Sequence, residues 1–177
     1  MREGQLNNGV SIPEIGLGVY QSEPGDETKN AVATALKLGY RHIDTARFYA
    51  NEEDVMAGIA LAGVDRTAVF VTSKLRPGAD FGRHAPAAIA ESAARLGGFI
   101  DLLLLHAPGG DRKARHEAWA AMEDALAAGT VKAIGVSNFG VGHIDELMKV
   151  AKVTPAVNQL ELHPWLQWPE IVQHCEK

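Results

Sequence analysis

Arg41-His-Ile-Asp-Thr-Ala-Arg-Phe-Tyr-Ala-Asn-Glu-Glu53 is the stretch from which the rest of the chain can be ordered. Asp44 closes a short apolar run that reads as a strand, and Tyr49 follows five positions later in the loop beyond it. Asn51 is placed to cap a helix. Glu52, Glu53 and Asp54 would fill its first turn, where carboxylates suit the positive end of the helix dipole. An acid and a phenol therefore stand between a strand end and a helix start. In parallel α/β folds that is where chemistry is placed.

Working outward, the same unit recurs. Val69–Lys74 and Ile100–His106 read as strands, the second almost wholly apolar and hence buried on both faces. Ile134–Phe139 and Val157–His163 read as a fourth and a fifth, with Pro164 as a stop. Helices are expected over 26–38, 51–62, 83–96, 111–128 and 142–151, most of them ended by glycine, and another follows Pro169. Residues 5–18 read as a hairpin with Asn8-Gly9 as a two-residue type I′ turn. Strand ends recur roughly every 30 residues, the spacing of a parallel sheet with crossover helices. Each strand ends on a polar residue: Asp44, Lys74, His106, Ser137-Asn138 and Gln159. A (β/α)₈ barrel gathers such ends around one site. A doubly wound sheet is the runner-up, and it would favour a Gly-x-Gly-x-x-Gly turn that is missing after the first strand.

Composition narrows the function classes. With 177 residues, 46% hydrophobic and 22% charged, the chain suits one domain over 1–177 with a real core. A net charge of -5 gives no basic footprint for nucleic acid or an anionic membrane. One cysteine, Cys175, suits a reducing compartment. Without a signal peptide or a long apolar run, a soluble cytoplasmic protein is expected. The seven histidines lack metal-site spacing, so no metal is expected. Ser137 lies in Gly-Val-Ser-Asn-Phe, which lacks the second glycine of a hydrolase elbow.

Taken singly, each polar strand end has a bland explanation. Asp44 could cap a helix, His106 could be a satisfied core histidine, and Ser137-Asn138 could simply open the next helix. Lys74 is harder to dismiss, because a lysine beside a core needs a partner, and Asp44 is the natural one. Together, an acid, a phenol, a lysine and a histidine form a proton-donating set. The expectation is that the ammonium lowers the Tyr49 pKa, the carboxylate holds the ammonium, and the histidine steadies a carbonyl oxygen against the phenol. That suits reduction of a carbonyl. None of these side chains can supply hydride, so a nicotinamide is required.

The chain closely resembles the aldo-keto reductases. The resemblance runs from about Asn7 to the end and rests on many ordered motifs. These include Gly16-Leu-Gly18, His42-Ile-Asp-Thr-Ala46 with Tyr49 and Asn51-Glu52, Thr72-Ser-Lys74 and Leu105-His106. Further on come Gly129-x-Val-Lys-x-Ile-Gly-Val-Ser-Asn-Phe139, Asn158-Gln159 and Leu162-His-Pro164. It implies a (β/α)₈ barrel with a hairpin across its base and reduction of small aldehydes and ketones with NADPH. By the same resemblance Asp44, Tyr49, Lys74 and His106 match a catalytic tetrad with Tyr49 as proton donor. Ser137, Asn138 and Gln159, with Asp44, match residues that hold the nicotinamide, and Tyr20 and His106 match substrate-binding positions. Tyr20 stands where many members have tryptophan, and Ala107 where an aromatic residue is common. Both substitutions imply a pocket of different width or lining.

Members of that family are longer. The resemblance therefore implies an incomplete barrel of about five β/α units plus the hairpin, lacking the segment that grips the adenosine 2′-phosphate. Its open sheet edges are expected to loosen the fold or promote self-association, and to weaken NADPH binding. Two other readings stand beside the enzyme: a truncated, non-catalytic relative that binds a partner, as the related potassium-channel β subunits do, and an incomplete gene model.

Overall fold

A short antiparallel hairpin opens the chain, β1 (Glu3–Gln5) against β2 (Ser11–Pro13), with Gly4 opposite Ile12. The computed structural model describes residues 2–176. The hairpin is shorter than the sequence reading, and its turn is of another type. The Gly9 amide donates to Leu6 O at 2.9 Å, which puts Asn7 and Asn8 at the turn centre; of the three loop residues Gly9 alone has positive φ, at 85°. This is a three-residue loop ending in a left-handed glycine. A type I′ turn would need positive φ at Asn8 as well.

Six parallel strands follow in chain order. β3 (Leu17–Gly18), β4 (His42–Asp44) and β5 (Phe70–Leu75) lie beside β6 (Ile100–Leu105), β7 (Val131–Ser137) and β8 (Asn158–Gln159), each paired with the next. The order never reverses, so the topological switch of a doubly wound sheet is absent among the described residues. The sheet is also curled. Gln159 on β8 donates through Nε2 to Asp44 Oδ2 on β4 at 2.7 Å. Across a flat sheet those strands, four spacings apart, would stand about 19 Å from each other. Only a barrel-like curvature brings the two side chains into contact.

The sheet has one strand more than the sequence reading counts, because β3 (Leu17–Gly18) falls inside the stretch that reads as the hairpin. Its two residues include a glycine, and no apolar run announces it. At the other edge β8 is far shorter than expected: it ends at Gln159, and Leu162 is exposed. An edge strand has one neighbour only, and β7 offers β8 just two register partners, Val136 and Ser137.

Helices α1 (Asp26–Lys37), α2 (Glu52–Ala62), α3 (Ala85–Arg95), α4 (Arg112–Ala127), α5 (Val141–Met148) and α6 (Pro169–Cys175) alternate with the strands. Strand alternation then divides the core in two. Val71, Leu75, Leu103 and Leu105 join the large cluster with helix residues such as Val55, Ile89, Trp119 and Met122. Phe70, Leu102, Leu104 and Ala133 point the other way, into the curl, where Leu6, Val10 and Ile12 of the hairpin region pack on them. Asn8 Nδ2 donates to Lys132 O at 3.0 Å and Asn7 Nδ2 to Pro155 O at 3.2 Å, tying the hairpin under the sheet. On β7, Gly135 is there for space: a Cβ would sit 2.6 Å from Val157 O and 2.9 Å from Leu104 Cδ2. Among the described residues no helix is long and apolar enough to cross a membrane.

Candidate functional site

The alternation that places Phe70 inside the curl also places Thr72 and Lys74 there, at the C-terminal end of β5. Lys74 is 1% exposed. Its Nζ forms an ion pair with Asp44 Oδ1 and donates to Thr45 O at 3.1 Å. Burial pulls the ammonium below its ordinary pKa, and the Asp44 charge opposes that pull. The second Asp44 oxygen accepts from Gln159. The acid that ends β4 is thus fixed from two sides by residues of β5 and β8.

Tyr49 ends a short 3₁₀ turn, Arg47–Tyr49, closed by Ala50 in the left-handed region at φ 55°. Arg47 anchors this turn to the neighbouring unit. It donates to Asp80 Oδ1 at 3.2 Å, to Ala88 O at 3.2 Å and to Glu91 Oε2 at 3.0 Å. The phenol is thereby presented to His106, with Oη 3.3 Å from Nε2 and the rings edge-on at 5.5 Å. Lys74 Nζ lies 5.4 Å from the centroid of the Tyr49 ring. His106 follows β6, its amide donating to Leu75 O at 2.9 Å. The four groups expected at strand ends are therefore in one place.

Their electrostatics differ from the sequence expectation. Tyr49 is not lowered; it is pushed up to about 12, first by burial, then by the Asp44 charge and by Tyr20. The ammonium that was to lower it is matched by Asp44 at hydrogen-bond range, so little net positive field reaches the phenol. His106 is lowered to about 4, by burial first and by the Lys74 charge second. Near neutral pH the phenol keeps its proton and the imidazole is uncharged.

Beside this set, Ser137 Oγ donates to Gln159 O at 3.0 Å. Asn138, in the left-handed region at φ 60°, donates through Nδ2 to His106 O at 2.9 Å. Two adjacent strand ends thus carry Ser137, Asn138 and Gln159 as a row of amide and hydroxyl groups. Among the described residues Asn138 Oδ1 and Gln159 Oε1 accept no protein hydrogen bond, which leaves two amide oxygens facing outward as acceptors. Tyr20 stacks at 5.0 Å from Tyr49, at a tilt of 45°. No group of three His, Cys, Asp or Glu side chains able to hold a metal ion occurs among the described residues.

Asn51 corrects another expectation. It occupies the N-cap position of α2, yet its side chain does not cap. Fully buried, it accepts from Thr45 Oγ1 at 2.7 Å and donates to Val19 O at 3.1 Å, tying the β3 and β4 loops together. Glu52 is also buried, and accepts from Ser73 Oγ at 2.6 Å. Arg47 and Asn51 build the site without touching its centre. No sequence periodicity marks Arg47, whereas the polar Asn51 one residue before a helix could have been read two ways.

The model of the Aldo/keto reductase family matches residues 14–177. The chain belongs to the aldo/keto reductase family. Among curated relatives it is 49% identical over 162 residues to a morphine 6-dehydrogenase of Pseudomonas putida, covering 90% of this chain and 54% of that protein. It is 43% identical over 173 residues to a glyoxal reductase of Bacillus subtilis, covering 97% and 62%. Among solved structures, an aldo/keto reductase from Brucella melitensis superposes with a TM-score of 0.92 at 41% identity, covering 99% of this chain and 69% of that one. A Bombyx mori aldo-keto reductase in complex with NADP gives 0.88 at 35% identity, covering 99% and 62%. This aldo/keto reductase chain spans 54–62% of the length of the first curated relatives it matches. The curled parallel sheet is the barrel sheet of that family's structures.

Proposed function

We propose that this chain carries the proton-transfer site of an NADPH-dependent reductase that converts aldehydes or ketones to alcohols. One observation carries the reading: Tyr49 Oη and His106 Nε2 meet at 3.3 Å beside a buried Lys74–Asp44 pair, four groups drawn from three strand ends. Family membership and the NADP in the Bombyx mori neighbour support the cofactor. The two relatives' names are both those of oxidoreductases.

NADP fits the donor set. A nicotinamide carboxamide needs a donor and acceptors together, which the row of Ser137, Asn138 and Gln159 offers. Bound there, NADPH supplies hydride to the carbonyl carbon. Tyr49 then gives its proton to the carbonyl oxygen. A phenol held near pKa 12 is protonated at working pH, and the alkoxide forming on the substrate is the stronger base, so the proton moves downhill. His106, neutral and in contact with Oη, orients the same oxygen. Asp44 fixes Lys74 beside the phenol, 5.4 Å from the ring centroid. Tyr20, with its exposed ring against Tyr49, and His106 border the substrate.

The test is aldehyde-dependent NADPH oxidation by the chain, and by the same residues grafted onto the C-terminal part of a full-length relative. Turnover in the graft is the expected result. A folded graft that binds NADPH and reduces no reactive aldehyde or ketone would overturn the reading.

A further inference from the structure

Lys74 lies near the C-terminal end of β5, and Arg76 follows the strand. Thr72 and Lys74 point into the curl, while Ser73 and Leu75 point to the helices. Arg76 lies two residues past Lys74, just beyond the C-terminal end of β5, and is exposed. Its guanidinium carbon lies 4.5 Å from the centroid of Phe48, the residue before Tyr49. Phe48 is 52% exposed and Tyr20 61%. Together with Tyr49 and the 21–24 loop, those two rings line a cleft of about 210 Å³.

Two partly exposed aromatic rings next to a proton donor, one of them carrying a cation over its face, are a binding surface. The cation is also free to act. Among the described residues no carboxylate lies within ion-pair distance of the Arg76 guanidinium. The nearest acid along the chain, Asp80, uses one oxygen for the Arg76 amide at 2.8 Å and the other for Arg47. Glu23 lines the cleft on its loop side and disfavours an anion there, which leaves the Arg76 side of Phe48 as the place where one is stabilised.

We propose that Arg76 and Phe48 form a specificity subsite for a carboxylate, so that the site takes carbonyl compounds with a flat apolar body and a carboxylate remote from the reacting carbon. Phe48 and Tyr20 hold the body. Arg76, already seated over the Phe48 ring, receives the carboxylate in a fork that lysine cannot reproduce. This rests on the reading of Tyr49 as the proton donor, because that reading sets where the carbonyl lies.

Two measurements separate the claims. The first is binding of 4-(hydroxymethyl)benzoate and of its methyl ester, followed by titration of the protein's tryptophan fluorescence. The wild-type chain is expected to bind the carboxylate roughly three- to tenfold more tightly, a preference that weakens with salt. Arg76→Gln should abolish the preference, and Arg76→Lys should keep only part of it. Equal affinities in the wild-type chain, or a preference that survives Arg76→Gln, would overturn the subsite. Because Arg76 is exposed, both variants should melt close to wild type, which checks that they fold. The second is NADPH-dependent reduction of 4-formylbenzoate and of its methyl ester, by the chain and by the graft. A wild-type preference for the acid that Arg76→Gln removes, chiefly through KM, supports the proposal. Carboxylate-selective binding without reduction of either aldehyde by the graft would leave the subsite standing and overturn the reductase reading instead.

Discussion

Replacing Asp44 by alanine should be among the costliest single changes available in this protein. Lys74 is 1% exposed and has two oxygen partners, Asp44 Oδ1 and Thr45 O. Removing Asp44 leaves an ammonium in the interior with one neutral acceptor, and frees Gln159 Nε2 as well. Breaking one side of a buried pair costs ~3–5 kcal/mol. For a chain of this size that lowers Tm by roughly 6 °C or more. The cost comes from the orphaned charge, so removing the charge should recover it: Asp44→Ala with Lys74→Met should regain about 2 kcal/mol over the single variant. The pH dependence has a definite sign. The folded pKa of Lys74 lies below its ordinary 10.5, and Asp44 is what holds it up. Without Asp44 it falls further. The unfolded chain then binds more protons than the folded one from that lower pKa up to 10.5, so stability rises with pH across the window. The gap between Asp44→Ala and wild type should accordingly narrow as pH is raised from neutrality. Urea melts followed by circular dichroism measure all three. A single variant within about 0.5 kcal/mol of wild type, or a double variant no better than the single, would refute the buried-charge account.

His106, lowered to about 4 from 6.5, should titrate by NMR with its midpoint near 4 rather than near 6.5, and stability should fall as pH drops from about 6.5 towards about 4, because the unfolded chain takes up the proton first. Gly135→Ala should destabilise by ~1–3 kcal/mol in thermal melts, since its Cβ would meet the Val157 carbonyl at 2.6 Å. Asn51→Asp keeps the N-cap chemistry and loses the donor to Val19 O; it should destabilise by about 1–3 kcal/mol, whereas a simple capping role predicts no loss.

The parallel fold and its chemistry were legible because both leave strong local marks. Apolar runs at a steady spacing announce β5 and β6, and the polar residue ending each inward-facing row announces the site. What escaped was decided by partners far away in the chain. β3 is two residues long and exists because β4 pairs with it. The tail of the last predicted strand pairs with no neighbouring strand past Gln159, His163 turning back instead to an isolated bridge with Leu166, and no alternation in 160–163 could report that. Asn51 looks like a cap because a helix begins after it; two loops meeting at its side chain make it a tie instead. The shift on Tyr49 depends on how closely Asp44 sits to Lys74, a distance that spacing along the chain does not contain. Arg76 carries no local mark: it lies past the end of β5, and its place over Phe48 is set by a contact between distant segments of the chain.

The most direct test of the central claim is Tyr49→Phe in the graft with a full-length relative, assayed for NADPH oxidation with a reactive aldehyde and for NADPH binding by fluorescence. The substitution removes one oxygen that contacts only His106 among the described residues, so the fold and cofactor affinity should hold while turnover falls by at least about a hundredfold. Turnover within a few-fold of the unmutated graft would contradict the assignment of Tyr49 as the proton donor.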